Sequence, residues 1–514
     1  MIWLLALLVA FAVRVAPIAA GKPYIAYVDE GNFLHPVVRI LRDGGWDPRS
    51  YDYPQFPRIA VAAAMRTYAQ FYLVIHGQPL KWAYSPEPEV YDVLEPFDLL
   101  VIARIMSMLA SIGIVVLTGV LAHRRGGAYA GAAAVSLAAV TPALAVRGAF
   151  AMVDPYAALF VVACLITTDA SRTLPRPGLL SFLAGFFSGC AFASKYPAAI
   201  VIVGFGITTV LQLIPWRERV RRCALAAAGL LAGSACAMPA IIAHPGDVYN
   251  AIHGQAVAYS ASQSPNLWQQ AVKRAEWDVP YSGSELGAVY LGLAVVGFGL
   301  ALFDRRWAPT VWGWLAFIAT SLVLYGCQRF QPFRNLLPMV PLACVAVAFL
   351  YVRVRQHFAR PVWADSVGVV ALLVFLAAPV VSYAWERMHV VDSRTEVIDW
   401  LVANTGPQDK LLVLRELGFV NSELARLPSP ATVQWWRDAQ QAIAESPPRY
   451  VIAGILMQDA TAPIDIAAES SIEAEYVLRS RIGTEPTLPS PLWWRGNREI
   501  IYIFERKPRG ENRT

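Results

Sequence analysis

Long apolar runs dominate the first three quarters of the chain. A helix needs about 20 mostly apolar residues to cross a hydrocarbon core about 30 Å thick, because its backbone polar groups must be satisfied internally. Segments of this kind lie near residues 1–20, 98–121, 127–146, 154–169, 179–194, 197–214, 223–243, 284–303, 310–326, 336–352 and 364–385. The pattern therefore predicts a polytopic α-helical membrane protein with about eleven transmembrane helices.

A different pattern begins at residue 386. Polar helical stretches alternate with short β-type runs at 411–414, 450–455 and 500–504. This alternation is typical of a small α/β domain. The sequence thus predicts a transmembrane domain over residues 1–385 and a C-terminal extramembrane α/β domain over residues 386–514.

Composition supports the membrane class and fixes an orientation. The chain is 56% hydrophobic and 16% charged, and its net charge of +6 comes from short basic clusters between apolar runs, as the positive-inside rule describes. Nucleic-acid binding is therefore not expected. With a cytoplasmic N-terminus, the connections richest in basic residues are cytoplasmic, and residues 21–97, 244–283 and 386–514 are external.

The N-terminal segment and the cysteines permit two further predictions. Residues 1–20 favour an uncleaved first span over a signal peptide, because they lack a basic start and Arg14 interrupts the apolar run. The six cysteines lie in or at the ends of apolar segments without metal-ligand or redox spacing. They are expected to be small core residues.

The first external loop, residues 21–97, contains two features that suggest chemistry. Asp29 and Glu30 form an adjacent carboxylate pair at the start of a predicted helix with Phe33 and Val37 on one face. Residues 51–57, the aromatic loop, combine tyrosines, a phenylalanine and prolines in a stiff stretch. The carboxylates are either a solvated helix cap or part of a functional site.

Ionisable residues also gather near the external ends of the predicted spans. Such groups are costly in a membrane unless paired or hydrated, so each is a candidate for function. The candidates are Arg104, Asp154, Lys195, Arg329 and Arg334. Cations beside a carboxylate at one membrane face suit a phosphate whose lipid tail stays in the bilayer. For each cation, snorkelling to the interface is the simpler alternative.

The order of these landmarks resembles the GT-C superfamily of polyprenyl-phosphate-sugar glycosyltransferases, in particular protein O-mannosyltransferases and lipid A aminoarabinose transferases. The resemblance covers most of residues 1–350. It rests on Arg14, Asp29-Glu30, Tyr51-Asp52-Tyr53-Pro54, Ala103-Arg104-Ile105, Asp154-Pro155, Lys195-Tyr196 and Arg334-Asn335-Leu336-Leu337-Pro338.

The resemblance implies roles for individual residues. Asp29, with Glu30 beside it, is the expected general base, and Arg104 is the first candidate for binding the leaving phosphate. The same resemblance implies three further phosphate ligands, Lys195, Arg329 and Arg334. It also implies that Asp154 and Tyr53 orient the acceptor or the cations. Relatives carry a lysine in the loop after Tyr53-Pro54, whereas this chain has Gln55-Phe56-Pro57-Arg58, so that role passes to Arg58 or is unfilled.

The resulting hypothesis is an inverting hexosyl or pentosyl transferase in the cell (inner) membrane. It moves a sugar from a lipid-linked, polyprenyl-phosphate donor to a protein, lipid or polysaccharide acceptor on the external face, and the scheme requires no metal or other cofactor. One alternative is a transporter or flippase of a lipid-linked or anionic substrate, which would place ionisable residues near the bilayer midplane. Another is a non-catalytic assembly protein that presents the C-terminal domain.

Overall fold

The computed structural model describes most of the chain. The described residues are 2–19, 28–79, 98–260, 288–304, 307–326, 333–358, 362–389, 391–417, 419, 421–434, 436–459, 462–465, 475–483 and 500–507. They form two compact units. The first contains residues 33–82 and 99–385 together with the N-terminal helix, and the second contains residues from 386 onward and the start of the second helix up to Asn32.

The first unit is helical, although the helices Val28–Asp43 and Val362–His389 each include a few residues of the second unit. Its helices, in chain order, are α1 (Ile2–Val15), α2 (Val28–Asp43), α3 (Gln55–His76), α4 (Asp98–Val140), α5 (Pro142–Arg147), α6 (Asp154–Thr173), α7 (Pro177–Phe192), α8 (Val201–Val210), α9 (Trp216–Ala237), α10 (Ala240–Ala243), α11 (Pro245–Ser260), α12 (Ala288–Phe303), α13 (Ala308–Gly326), α14 (Val340–Phe358) and α15 (Val362–His389). Short 3₁₀ helices at Tyr196–Ile200 and Phe333–Met339 precede α8 and α14.

Helix α4 is a hairpin of two helical arms. Gly127 has φ 74° and ψ −167°, a left-handed conformation that a side chain would strain, and the chain reverses there. A Cβ on Gly131 would lie 3.2 Å from the carbonyl oxygen of Gly119, so the two arms pack closely. The predicted second and third spans therefore correspond to the two arms of α4, which are joined by the turn at Gly127.

Small residues also set the packing of α7 against α9. A Cβ at Gly185 would lie 1.8 Å from the Ala226 carbonyl oxygen, and a Cβ at Gly229 would lie 2.0 Å from that of Phe182. Gly189 and Gly233 repeat the pattern one turn further along. Such four-residue spacing of glycines lets two helix backbones approach where a membrane offers no hydrophobic drive for packing.

A buried arginine ties α1 to the α4 hairpin. Arg14 is fully buried. Its Nε donates to Ser111 Oγ at 2.9 Å, and its Nη1 donates to the carbonyl oxygen of Ala139 at 2.9 Å. Ser111 and Ala139 lie on different arms, so one guanidinium holds three helical segments. Backbone carbonyls offset the cost of burying this charge.

The second unit contains a mixed sheet. Its helices are α16 (Ser393–Asn404), α17 (Asn421–Leu424) and α18 (Trp436–Glu445), and its strands are β1 (Leu411–Leu414), β2 (Ala431–Gln434), β3 (Tyr450–Asp459), β4 (Ala462–Asp465), β5 (Tyr476–Ile482) and β6 (Ile501–Arg506). The strand order is β2-β1-β3-β6-β5, with β4 paired to β3. Strand β1 is parallel to β2 and β3, while β6 is antiparallel to β3 and β5. The apolar face of α16 packs in the core of this unit.

The fold confirms the broad class and corrects details. Among the described helical stretches, Leu99–Val140, Trp216–Ala237, Ala308–Tyr325 and Arg334–Phe358 are long and apolar enough to cross a membrane. The number of eleven spans and the domain bounds stay predictions. The expectation that all cysteines are core residues is wrong for Cys236, which is exposed on the outer surface of a helix. A small apolar side chain can face lipid as well as the core.

Candidate functional site

A buried ion pair joins three helical elements of the first unit. The Lys195 ammonium donates to Asp154 Oδ1 at 2.5 Å and to Asn335 Oδ1 at 2.6 Å. The side chains of Lys195 and Asp154 are only 14% and 3% exposed. One positive and one negative charge compensate each other here, which matters because an isolated buried charge is strongly unfavourable.

The local sequence explains the placement of this pair. Asp154 is the first residue of α6, where the helix dipole favours a carboxylate, and Pro155 follows in the first turn, where a missing N–H costs nothing. Lys195 adopts an extended conformation, with φ −158° and ψ 114°, between α7 and the 3₁₀ helix at Tyr196–Ile200. The break between two apolar helices lets its side chain turn toward α6.

The aromatic loop is held against the segment that carries Lys195. The Tyr196 hydroxyl donates to the carbonyl oxygen of Tyr51 at 2.6 Å. The backbone N–H of Phe56 donates to the carbonyl oxygen of Ala193 at 3.0 Å. The structure therefore brings together two regions that the sequence had indicated separately.

Arg58 folds the aromatic loop onto the first turn of α3. Its side chain is fully buried, and its Nη1 donates to the carbonyl oxygens of Ser50 at 2.8 Å and Tyr53 at 3.0 Å. The guanidinium also lies 3.4 Å from the Asp52 carboxylate and 5.5 Å from the centre of the Tyr53 ring. Arg58 thus organises the loop, and its predicted contact with phosphate stays a prediction.

A cluster around Asp47 escaped sequence reasoning. The Tyr51 hydroxyl lies 3.0 Å from both carboxylate oxygens of Asp47, and His244 Nε2 lies 3.3 Å from one of them. Burial and the neighbouring Asp47 raise the pKa of the Tyr51 hydroxyl above its usual value. Gln55 Nε2 donates to Asp47 at 3.4 Å, and Gln55 Oε1 accepts from the Ala240 N–H at 3.0 Å. These contacts connect the aromatic loop to α10 and to His244, which lies between α10 and α11.

Arg104 occupies a fully buried position in α4. Its Nη1 donates to the carbonyl oxygen of Ile18 at 2.8 Å, and its guanidinium lies 5.9 Å from the centre of the Phe150 ring. These contacts link the stretch after α1 to the segment before α6. Arg104 therefore anchors the backbone around the site.

The remaining predicted residues are described in part. Asp29 lies in the first turn of α2, but its side chain is outside the described set. Glu30 is fully buried with interacting neighbours, and Arg334 is 8% exposed beside Asn335. Arg329 lies outside the described residues. Direct contacts described between predicted site residues join Lys195 with Asp154 and Arg58 with Tyr53.

Within the described residues, no three His, Cys, Asp or Glu side chains form a group suited to a metal ion. The described chemistry is instead that of a lysine held by a carboxylate and an amide.

Comparisons with known proteins bear on the fold and on the predicted family resemblance. A family model of dolichyl-phosphate-mannose-protein mannosyltransferases matches residues 90–231. The chain is similar to the crystal structure of ArnT from Cupriavidus metallidurans bound to undecaprenyl phosphate, with 13% identity, a TM-score of 0.57 and coverage of 97% of both chains.

A second similarity is to the archaeal oligosaccharyltransferase AglB from Archaeoglobus fulgidus, in complex with an inhibitory peptide and a dolichol-phosphate. It has 11% identity, a TM-score of 0.50 and coverage of 89% of this chain and 69% of that chain. No curated protein matches the chain by sequence. At these identities the structures show the shared fold, and with the family match they confirm the predicted resemblance to GT-C glycosyltransferases.

Proposed function

We propose that the chain transfers a sugar from a polyprenyl monophosphate carrier to an acceptor on the external face of the inner membrane. The observation that carries this proposal is the buried contact of Lys195 with Asp154 and Asn335, in a fold similar to one solved with undecaprenyl phosphate. The family match over residues 90–231 includes both Asp154 and Lys195. The positive-inside distribution supports a cytoplasmic N-terminus and an external C-terminal domain.

The Lys195 ammonium is the proposed partner of the leaving phosphate. An ammonium has three N–H donors, and the two contacts described use two of them. The third can donate to a phosphate oxygen, while Asp154 and Asn335 fix the direction of the nitrogen. A donor held in this way stabilises the charge that develops on the phosphate as the sugar leaves. Arg104, Arg58, Arg329 and Arg334 are further candidates for that charge.

Asp29 is the proposed general base. Its carboxylate accepts the proton of an acceptor hydroxyl or amine as the acceptor attacks the anomeric carbon. The bond between that carbon and the phosphate oxygen breaks, and the polyprenyl monophosphate leaves with the electron pair. A single displacement inverts the anomeric configuration. The position of Asp29 in the first turn of α2, where the dipole favours a carboxylate, supports this role.

The neighbouring residues have supporting roles in this scheme. Glu30 is the buried companion of Asp29, and Tyr53 orients the acceptor from the aromatic loop. Asp154 acts through Lys195 and is a positioning residue. The donor sugar is a hexose or pentose, and the acceptor is a protein, a lipid or a polysaccharide. The scheme uses no metal or other cofactor.

The test uses purified full-length protein and a panel of undecaprenyl-phosphate-linked hexoses and pentoses, with a membrane extract as the source of acceptor. We expect release of undecaprenyl monophosphate from at least one donor and a loss of about 10²–10⁴-fold in the Asp29→Asn variant. Glu396→Gln, an acidic residue of the C-terminal unit, serves as the control. Release by Asp29→Asn at the wild-type rate would remove the proposed base.

A further inference from the structure

Cationic side chains gather at one edge of the C-terminal sheet. Lys410 immediately precedes β1, Arg449 immediately precedes β3, and Arg506 is the last residue of β6. Strands β1 and β3 are parallel and β6 is antiparallel to β3, so the register places these three positions at the same edge. Three separate parts of the chain thus each contribute a positively charged residue to this edge of the sheet.

The backbone fixes these positions. The N–H of Arg449 donates to the carbonyl oxygen of Lys410 at 2.8 Å, and the N–H of Arg506 donates to the carbonyl oxygen of Arg449 at 2.9 Å. The N–H of Lys507 continues the pattern by donating to the carbonyl oxygen of Glu475 at 2.9 Å. The cations therefore project from a hydrogen-bonded frame rather than from free loops.

A cavity of about 390 Å³ lies at this edge. Its lining contains four cationic residues and one acidic residue, a formal charge of +3, and comprises Gln408, Asp409, Lys410, Pro447, Arg449, Arg506 and Lys507. The volume lies in the range of small-ligand sites. The excess of positive charge predicts a negatively charged occupant.

The nearby carboxylates are already engaged. Arg449 lies 2.7 Å from Asp409 Oδ1 and 3.1 Å from Glu505 Oε1, and Arg479 also pairs with Glu505. Lys410 donates to the neutral Ser446 hydroxyl at 3.0 Å. In the described part of this unit, no carboxylate pairs with Lys410 or Arg506. Among the described residues, Lys410 and Arg506 therefore contribute positive charge to the lining without a carboxylate partner.

We propose that this cavity binds a phosphate or carboxylate group of the acceptor. The inference rests on the proposed glycosyl transfer and adds to it that the acceptor is anionic. Arginine and lysine together suit such a group, because the guanidinium fork matches two oxygens and the ammonium adds a point charge. The C-terminal unit then selects the acceptor, while the helical unit handles the lipid donor.

The test measures binding of inorganic phosphate by calorimetry, with the full-length protein in a maltoside detergent and ionic strength held constant with chloride. We expect saturable binding that is about tenfold weaker in Arg506→Gln and in Lys410→Gln, because each variant loses one charged hydrogen-bond donor. Arg426→Gln is the matched control, since it removes one charge from the same unit but pairs with Glu423 and Asp399. Absence of phosphate binding, or equal weakening in the control, overturns the proposal.

A second arm distinguishes the two sources of an anionic group. In nanodiscs of phosphatidylcholine with added phosphatidylglycerol, loss of inorganic phosphate binding indicates a lipid headgroup as the occupant, and retained binding indicates an acceptor group in solution. Retained binding supports the proposed acceptor group, whereas loss of binding keeps the anion site but overturns its assignment to the acceptor. Phosphate binding is measured without turnover, so its result is independent of sugar transfer. Absence of phosphate binding in a protein that transfers sugar refutes only this inference. Phosphate binding by a protein that transfers no sugar refutes only the proposed glycosyl transfer.

Discussion

The two ends of helix α6 carry buried aspartates in opposite kinds of surroundings. At the first residue, Asp154 pairs with Lys195, and Asn335 completes the contact. Near the other end, Asp169 is 1% exposed and pairs with both Arg124 and Arg125. The two carboxylates are 15 residues apart, which is about 22 Å along a helix and approaches the thickness of a hydrocarbon core.

We infer a structural role for the Asp169 end of the helix, whereas the proposed function gives the Asp154 end a role in phosphate binding. Arg125 also donates to the Thr310 hydroxyl at 3.0 Å, and Arg124 donates to the Thr173 hydroxyl at 3.0 Å. Guanidinium groups that each bond to several partners hold a carboxylate in a fixed position. We call Asp169, Arg124 and Arg125 the clamp. A lysine in a one-to-one pair keeps a compact charge and a spare donor for a ligand.

The largest expected effect is a loss of sugar transfer when the ion pair at the Asp154 end of α6 is removed. In the double variant Asp154→Asn/Lys195→Gln, both charges disappear together, so no uncompensated charge is left behind. We expect sugar transfer to fall by about 10³-fold, because the charge on the leaving phosphate loses its partner. The unfolding midpoint should stay close to that of the wild type. Initial rates and thermal unfolding of purified protein measure both, and wild-type transfer by the double variant would break the contrast.

At the Asp169 end of α6, we expect a substitution to lower the stability of the protein and to leave sugar transfer nearly unchanged. Asp169→Asn leaves Arg124 and Arg125 without their carboxylate, and we expect the free energy of unfolding to fall by about 3 kcal/mol. Transfer per folded molecule should change by less than about twofold, because Asp169 lies about 22 Å from Asp154 along the helix. Denaturant unfolding and activity of the folded fraction provide the measurements.

Asp304→Asn is the control for that variant. Asp304 pairs with Arg353, whose side chain is 43% exposed, so the expected loss is below about 1 kcal/mol. Equal destabilisation by Asp169→Asn and Asp304→Asn would show that burial does not distinguish the clamp.

A smaller effect is expected from Asp47, which supports the aromatic loop at the Asp154 end of α6. Asp47→Asn weakens the contacts with Tyr51 and His244. We expect the donor KM to rise about fivefold with little change in kcat. The substitution affects the position of the aromatic loop and not the stabilisation of charge on the leaving phosphate. Steady-state kinetics with the active donor measure this, and a fall in kcat alone contradicts it.

The smallest effect concerns acid pH, where partly exposed acids of the second unit contrast with the buried aspartates of α6. Burial opposes ionisation of Asp409, but the Gly406 N–H and Arg449 outweigh it and lower its pKa. A lowered folded-state pKa gives stability that is present above the unfolded value of about 3.9 and is lost as pH falls through the folded value. Thermal unfolding between about pH 5 and pH 3 should show this loss, with a flatter profile in Arg449→Gln.

The sequence predicted part of the C-terminal sheet. Runs at 411–414, 450–455 and 500–504 correspond to β1, β3 and β6, whose residues are strongly apolar. Strands β2, β4 and β5 were missed. Strand β2 is four residues long and half polar, and β5 carries Arg479 and Arg481 among apolar residues, so neither has a clear buried periodicity.

The site was predictable as a set of residue types but not as a set of contacts. Lys195 and Asp154 stood out because charges at the ends of apolar runs are costly. Asn335 and Asp47 carried no such signal, since their partners Lys195 and His244 lie 140 and 197 positions away in the sequence. Arg104 and Arg58 were identified as cations, while their backbone contacts became visible only in the fold.

The most direct test of the proposed donor site is the affinity of the purified protein for undecaprenyl monophosphate. The Asp154→Asn/Lys195→Gln variant should bind at least about tenfold more weakly than the wild type, because it lacks the ammonium that meets the phosphate. Asp29→Asn should bind normally while losing transfer. Unchanged affinity in the double variant would show that Lys195 does not hold the lipid phosphate.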